Sequence, residues 1–284
     1  GSNGGSDITG YEYSTDGGAT WRMRDVGTTM TSSPITITKL SSDGLTTISN
    51  GTAYDVAIRA VNRAGAGRES ATFTVIPAGV PDVPTITAVN SSNGGLSVEF
   101  TAGNAGGRSV IRNEYSIDGG STWIVAPTLN SPIVISGLTN GTAYALQVRQ
   151  VNEVGNGSSS ITVAGTPYTT PGSPTIDQIS AGNATISLFF TDGATNGTQI
   201  TSYEYSTDDG ATWRTRRTGT IESPLTITTL STDGTTALQN GTAYSVKIRA
   251  VNAIAAGAES NMLDVTPLAP VIVVAAPVQT AEST

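Results

Sequence analysis

The sequence predicts an all-β chain of tandem Greek-key β-sandwiches: three repeats, the first lacking its opening two strands. Three observations point there. The stretch Asn50-Gly51-Thr52-Ala53-Tyr54, running on to Arg59-Ala60-Val61-Asn62, returns at Asn140 to Tyr144 with Arg149 to Asn152, and at Asn240 to Tyr244 with Arg249 to Asn252. Its tyrosines stand 90 and then 100 residues apart, a spacing that suits an array of one domain type. Apolar residues alternate with period two along short runs, and no apolar stripe with the 3.6 period of a helix has useful length. Finally, 33 glycines and a charged fraction of 13%, with Thr, Ser and Asn crowding the turns, suit many short strands.

In the repeated stretch, Asn-Gly marks a turn, because Gly takes positive φ without steric cost and Asn tolerates it. Tyr54, Val56, Ile58 and Ala60 then alternate with Asp55, Ala57, Arg59 and Val61, as in a strand with one buried face. An apolar residue lies six positions before each Tyr, pairing Ile48 with Tyr54, Leu138 with Tyr144 and Leu238 with Tyr244. That spacing lets the ring pack under the corner while its hydroxyl meets nearby backbone, as in the tyrosine corner of Greek-key sandwiches. Together, Leu-x-x-Gly-Thr-x-Tyr, the alternating strand and Ala-Val-Asn resemble the E–F corner and F strand of fibronectin type III domains. The resemblance covers almost the whole chain in three copies. It implies repeats at 1–77 (strands C to G only), 78–167 and 168–267, then a tail at 268–284.

Residues 1–9 align with the loops at Gly103 to Val110 and Gly193 to Ile200, so the first repeat reads from inside its domain. The chain opens on Gly1 rather than Met, which reads as a processed or partial polypeptide. Next comes Ser-x-Asp-x-Gly-x-Thr-Trp, with Asp16 and Trp21, Asp118 and Trp123, Asp208 and Trp213. This motif resembles the Asp box of sialidase propellers, where it is also a turn. Here it reads as the C–C′ hairpin, the Asp bonding turn N–H groups and the Trp folding over them. A propeller also needs blades of about 40–50 residues, half the period seen.

Repeats one and three then carry Arg22-Met23-Arg24 and Arg214-Thr215-Arg216-Arg217, where repeat two has Ile124-Val125-Ala126. Two readings stand: a solvated edge strand protected by charge, or contacts to an anionic glycan joined by exposed Tyr11, Tyr168 and Tyr203. Core packing is the expected task of Tyr13, Tyr115 and Tyr205. Strand E follows each Pro, at 34–38, 132–136 and 224–228. Repeats one and three next insert eight residues relative to repeat two, with Asp43-Gly44 and Asp233-Gly234 inside them. One Asp is few ligands for calcium, which takes six to eight oxygens. Strands A and B are expected at 85–89 and 96–100, then at 175–179 and 185–190. Strand G closes the units at 71–76, 160–163 and 262–265, and short Pro-containing links suit a semi-rigid string.

The tail is apolar and β-branched at Val271, Ile272, Val273, Val274 and Val278. Left bare it would aggregate, so it reads either as the start of a further stretch of a longer array or as a strand donated head to tail. The second reading answers the first repeat, whose E strand and half core lack a cover.

Without Cys or His, the chain has no thiol nucleophile, disulfide, imidazole base or usual transition-metal ligand. A net charge of −8 opposes nucleic-acid binding, and no run of about 18 apolar residues spans a membrane. Acidic residues recur in turns and strand edges of every repeat, the distribution expected of structural roles. The sequence therefore predicts no enzyme, cofactor or metal. It predicts an extracellular or cell-surface structural or adhesive protein, whose partners are copies of itself or neighbouring domains. The alternative is a glycan- or surface-binding spacer of a larger secreted enzyme or phage fibre.

Overall fold

The computed structural model describes residues 2–24, 31–216 and 219–270. Regular structure there is all β. Repeat one contributes β1 (Ile8–Ser14), β2 (Arg22–Met23), β3 (Tyr54–Asn62), β4 (Gly65–Glu69) and β5 (Phe73–Val75). Repeat two contributes β6 (Thr85–Ser92), β7 (Gly95–Thr101), β8 (Arg112–Ser116), β9 (Ile124–Val125), β10 (Ile133–Ser136), β11 (Tyr144–Val151) and β12 (Val163–Gly165). Repeat three contributes β13 (Thr175–Gly182), β14 (Thr185–Thr191), β15 (Ile200–Ser206), β16 (Arg214–Thr215), β17 (Leu225–Ile227), β18 (Tyr244–Asn252), β19 (Ala256–Glu259) and β20 (Leu263–Val265). These strands make separate antiparallel sheets, and the chain is a tandem β-sandwich protein of fibronectin type III-like architecture.

Repeat three has a three-stranded sheet, β13-β14-β17, and a five-stranded one, β16-β15-β18-β19 with β20 also on β18. Repeat two has β10-β7-β6 and β12-β11-β8-β9. Among the described residues, repeat one has a single sheet, β2-β1-β3-β4 with β5 also on β3. By packing, the chain divides into two compact units. One gathers Gly1–Val89, Val98–Ile133 and Tyr144–Ala164; the other gathers Asn90–Ser97, Val134–Ala143 and Gly165–Thr284.

The cores follow the period-two pattern. In repeat three, Ile186, Leu188 and Phe190 of β14 lie beside Leu225 and Ile227 of β17 in one sheet and pack with Val246, Ile248 and Ala250 of β18 in the other, all buried. In repeat two, Leu96, Val98 and Phe100 hold the place of the β14 residues. The strand expected at 34–38 does not form in repeat one. Its counterparts β10 and β17 pair with β7 and β14. No strand of that kind flanks 34–38 among the described residues, so its N–H and C=O groups have no ladder to join. Ile35, Ile37 and Val56 are only half-buried, and Ile58 is exposed. They line an open apolar cleft of about 400 Å³ with Tyr11 and Pro34. The tail residues Val271, Ile272, Val273, Val274 and Val278 lie outside the described residues.

Candidate functional site: the clamped hairpin and the repeat junction

Two constellations recur, and both are built from turns and strand edges. The first is the Asp turn. Asp16 accepts the Thr20 N–H at 2.9 Å and the Thr20 hydroxyl at 2.6 Å, and Ser14 Oγ donates to it at 2.7 Å. Asp118 makes the same bonds with Thr122 and Ser116, and Asp208 with Thr212 and Ser206. Hydrogen bonds to a carboxylate favour its charged form. The Ser116 and Thr122 hydroxyls therefore hold the exposed Asp118 carboxyl at about 2. The Thr20 hydroxyl also lowers the Asp16 carboxyl below its ordinary range. Each turn is tied back to the strand after the corner, Gly17 N–H donating to Asp55 O, Gly119 to Ala145 and Asp209 to Ser245.

A Trp, an Arg and a Glu pile up beside each turn. Register places Glu12 opposite Arg59, Glu114 opposite Arg149 and Glu204 opposite Arg249. The pairs close at 2.6 Å in each repeat, and each guanidinium lies 4.1–4.3 Å from the ring centre of Trp21, Trp123 or Trp213. Sequence reasoning missed this arrangement. Its only signal was the common spacing of Glu in Glu-Tyr, Trp in the turn and Arg three residues before Asn. Tyr54 Oη accepts the Ser49 N–H at 2.9 Å and Tyr244 Oη the Gln239 N–H at 3.0 Å, closing the corners. Leu238 is buried, while Ile48 and Leu138 are half-buried.

The eight-residue insertions fold onto the turn of their own repeat. Ser41 Oγ accepts the Thr15 N–H and Ser231 Oγ the Thr207 N–H, both at 3.0 Å. A methyl group at Gly44 would overlap the Arg22 guanidinium, and one at Gly234 would press on Arg214 Nε. Arg22 and Arg214 thus lie across the insertions, whereas repeat two has neither insertion nor Arg and carries Ile124. Asp43 and Asp233 are spent on Thr46 and Thr236, whose bonds hold both carboxyls at about 2. Among the described residues, no group of three or more acidic side chains is placed to hold a metal.

Several of the glycan candidates are taken up by bonds within their own repeat. Arg24 is buried, donating to the carbonyls of Ser32 and Pro34; Arg216 donates to those of Glu222 and Pro224. Tyr203 is fully buried, its ring 4.6 Å from Phe190 and its hydroxyl bonded to Asp192 at 2.6 Å. Burial, then Asp192, pushes that hydroxyl's pKa up. The expectation of an exposed Tyr203 fails for a simple reason: residues 203 and 205 are two apart and share a strand face. Tyr13 and Tyr205 are buried as expected, whereas Tyr115 is half-buried. Tyr11 and Tyr168 are half-buried as well. Arg217 lies outside the described residues.

The second constellation joins one repeat to the next. Asn152 Nδ2 donates to Gly79 O in the link before repeat two, and Asn252 Nδ2 to Thr169 O in the link before repeat three. Link backbone also bonds the loop before the next hairpin, Gly79 N–H to Gly106 O and Gly172 N–H to Ala194 O. These Asn residues end the Gln150-Val151-Asn152 and Ala250-Val251-Asn252 stretches, and sequence reasoning assigned them no task.

No protein-family model matches the chain. It is similar to endoglucanase B of Cellulomonas fimi, 28% identical over 267 residues, which is 87% of this chain and 23% of that protein. The chain therefore spans less than a quarter of that relative. Among solved structures, chicken CNTN1 FN1-FN3 domains match with a TM-score of 0.34 and 16% identity, over 95% of this chain and 92% of that one.

Proposed function

We propose that this chain is a non-catalytic structural or adhesive segment of an extracellular protein, a stalk or spacer in which each repeat carries and orients the next. The observation that carries this reading is the repetition of two polar constellations in every repeat. Asp turn and Trp–Arg–Glu pile recur in all three repeats, each member bonded to its own repeat. An active site is a single departure from a pattern, and these groups are the pattern. The similarity to a stretch of endoglucanase B supports a module within a larger secreted protein. It brings no catalytic residue, since the chain covers so little of that relative.

A glycan-binding spacer remains the second reading, and it has lost Tyr203, Arg24 and Arg216 to internal bonds. Negative-stain electron microscopy of the purified chain tests the first reading. Elongated particles are expected, and compact globules would overturn it. A glycan array is expected to give no hit, and a specific hit would move the assignment to the second reading.

A further inference from the structure

Each repeat ends one of its sheets on a two-residue edge strand, β2, β9 or β16, and the middle one is bare. Repeat one has Arg22-Met23-Arg24 at this edge and repeat three has Arg214-Thr215-Arg216, with Arg22 and Arg214 lying across the insertions. Repeat two has Ile124-Val125-Ala126, no insertion, and no charged residue anywhere between Asp118 and Arg149. Ile124 is 43% exposed and Val125 58%. Leu129, whose carbonyl accepts Asn113 Nδ2 at 2.8 Å, is exposed beside them. Charge on an edge strand, or a cover over it, keeps the edge from pairing with another chain, and among the described residues this edge has neither. Repeat two has its full set of strands, β6 to β12, so the bare edge is a property of its own sequence.

The register fixes how such an edge is met. Glu114 stands opposite Val125 and Tyr115 opposite Ile124. One step further along, Ala126 N–H donates to Asn113 O at 2.9 Å. Hydrogen-bonding direction alternates along an antiparallel strand, so the Val125 N–H and C=O point away from β8. An incoming antiparallel strand therefore bonds at Val125. Where that strand is β9 of a second copy, Val125 meets Val125 and each Ile124 meets the other copy's Ala126. The same pairing at the other two edges would set Arg22 opposite Arg24 and Arg214 opposite Arg216, and like charges directly opposite are destabilising. The charged groups beside β9 are engaged with one another, since Glu114 accepts from Arg112 at 2.7 Å and from Arg149 at 2.6 Å. A foreign acidic or basic segment would find no counter-charge on this edge, whereas a second uncharged edge needs none.

We propose that repeat two is a self-association site: two copies of the chain join antiparallel through β9, Val125 against Val125, on a two-fold axis. The contact is isologous and closes at a pair. It continues the sheet β12-β11-β8-β9 into its counterpart and covers Ile124 and Val125, with Leu129 at the rim. A charge of −8 on each copy opposes the approach, and so small a contact belongs with the weak, transient interfaces. The inference goes beyond the proposed function, which a solitary stalk satisfies equally.

Sedimentation equilibrium of the 284-residue chain across concentration tests it. A monomer–dimer equilibrium is expected, with a dissociation constant of roughly micromolar to millimolar. Val125→Lys and Val125→Glu change an exposed side chain and are expected to melt like the parent. Each sets like charges opposite each other in the pair, so each alone is expected to associate at least ~10-fold more weakly. Mixed, they bring opposite charges together, and association is expected to return. The chain has no Cys, so Val125→Cys supplies a second readout. A hydrogen-bonded antiparallel pair holds its Cα atoms about 5.5 Å apart, within the span of a disulfide. Under mild oxidation Val125→Cys is expected to form a covalent dimer many-fold faster than Met23→Cys, which is exposed at the corresponding place in repeat one. A parent chain monomeric at every concentration would overturn the inference. So would Val125→Lys associating like the parent, a mixture no tighter than its components, or oxidation no faster at residue 125 than at residue 23. If a charged variant fails to fold, Val125→Cys decides. A chain that stays monomeric yet is elongated in micrographs would sink this inference and leave the proposed function standing; dimers built of compact globules would do the reverse.

Discussion

Repeat one and repeat three share nearly every local device and differ in what covers their cores. Both have the Asp turn, the insertion folded over it, the Arg–Trp contact and the tyrosine corner. In repeat three, Ile248 is fully buried beneath Leu188 and Phe190; in repeat one, its counterpart Ile58 is 36% exposed. Phe73 and Val75 of β5 are also exposed, while Leu263 and Val265 of β20 are partly buried against the repeat-three core. The comparison separates two kinds of order. Hairpins, corners and cross-strand pairs form from one sheet alone, whereas a closed core needs a strand from the other.

The largest expected difference tests that separation. Ile248→Ala in repeat three should cost about 2–5 kcal/mol, and Ile58→Ala in repeat one less than about 1 kcal/mol, because only the first leaves a cavity. Chemical denaturation of each variant at low protein concentration reads this; equal costs would mean that the repeat-one core is covered. Corner substitutions should erase the contrast. Tyr54→Phe and Tyr244→Phe each remove the acceptor of a backbone N–H, at about 1 kcal/mol apiece. A loss confined to one repeat would show that the corner depends on a closed core.

The Glu204–Arg249 pair is partly exposed, with Arg249 about a quarter accessible, so solvent screens it. A double-mutant cycle should return about 0.2–1 kcal/mol, and the Glu12–Arg59 cycle in repeat one the same. The smallest effect is in acid. Asp43, Asp118 and Asp233 have pKa values of about 2, below the unfolded carboxyl, so their contribution is complete above about pH 4 and is lost as pH falls through 2. Asp43→Asn and Asp233→Asn should flatten the acid loss of repeats one and three and leave repeat two unchanged, read by melting between pH 5 and pH 2.

Much of this was legible from residues near each other in the chain. Asn-Gly turns, the Ser-x-Asp-x-Gly-x-Thr-Trp hairpin and the alternating strands are local, and the structure has turns and strands at those places. The strand at 34–38 was misread because its alternation is real but its partner is not among the described residues. Tyr203 was misread by splitting two residues that the strand period puts on one face. Arg24 and Arg216 looked like surface charge because their acceptors are carbonyls six to ten residues away, which carry no side-chain signature.

Amide hydrogen exchange in dilute solution tests the central claim most directly, because it reads the cover of repeat one residue by residue. Residues 35–37 and the β3 amides near Ile58 should exchange far faster than Leu225–Ile227 and the β18 amides near Ile248. Equal protection of the two repeats in dilute solution would contradict the account.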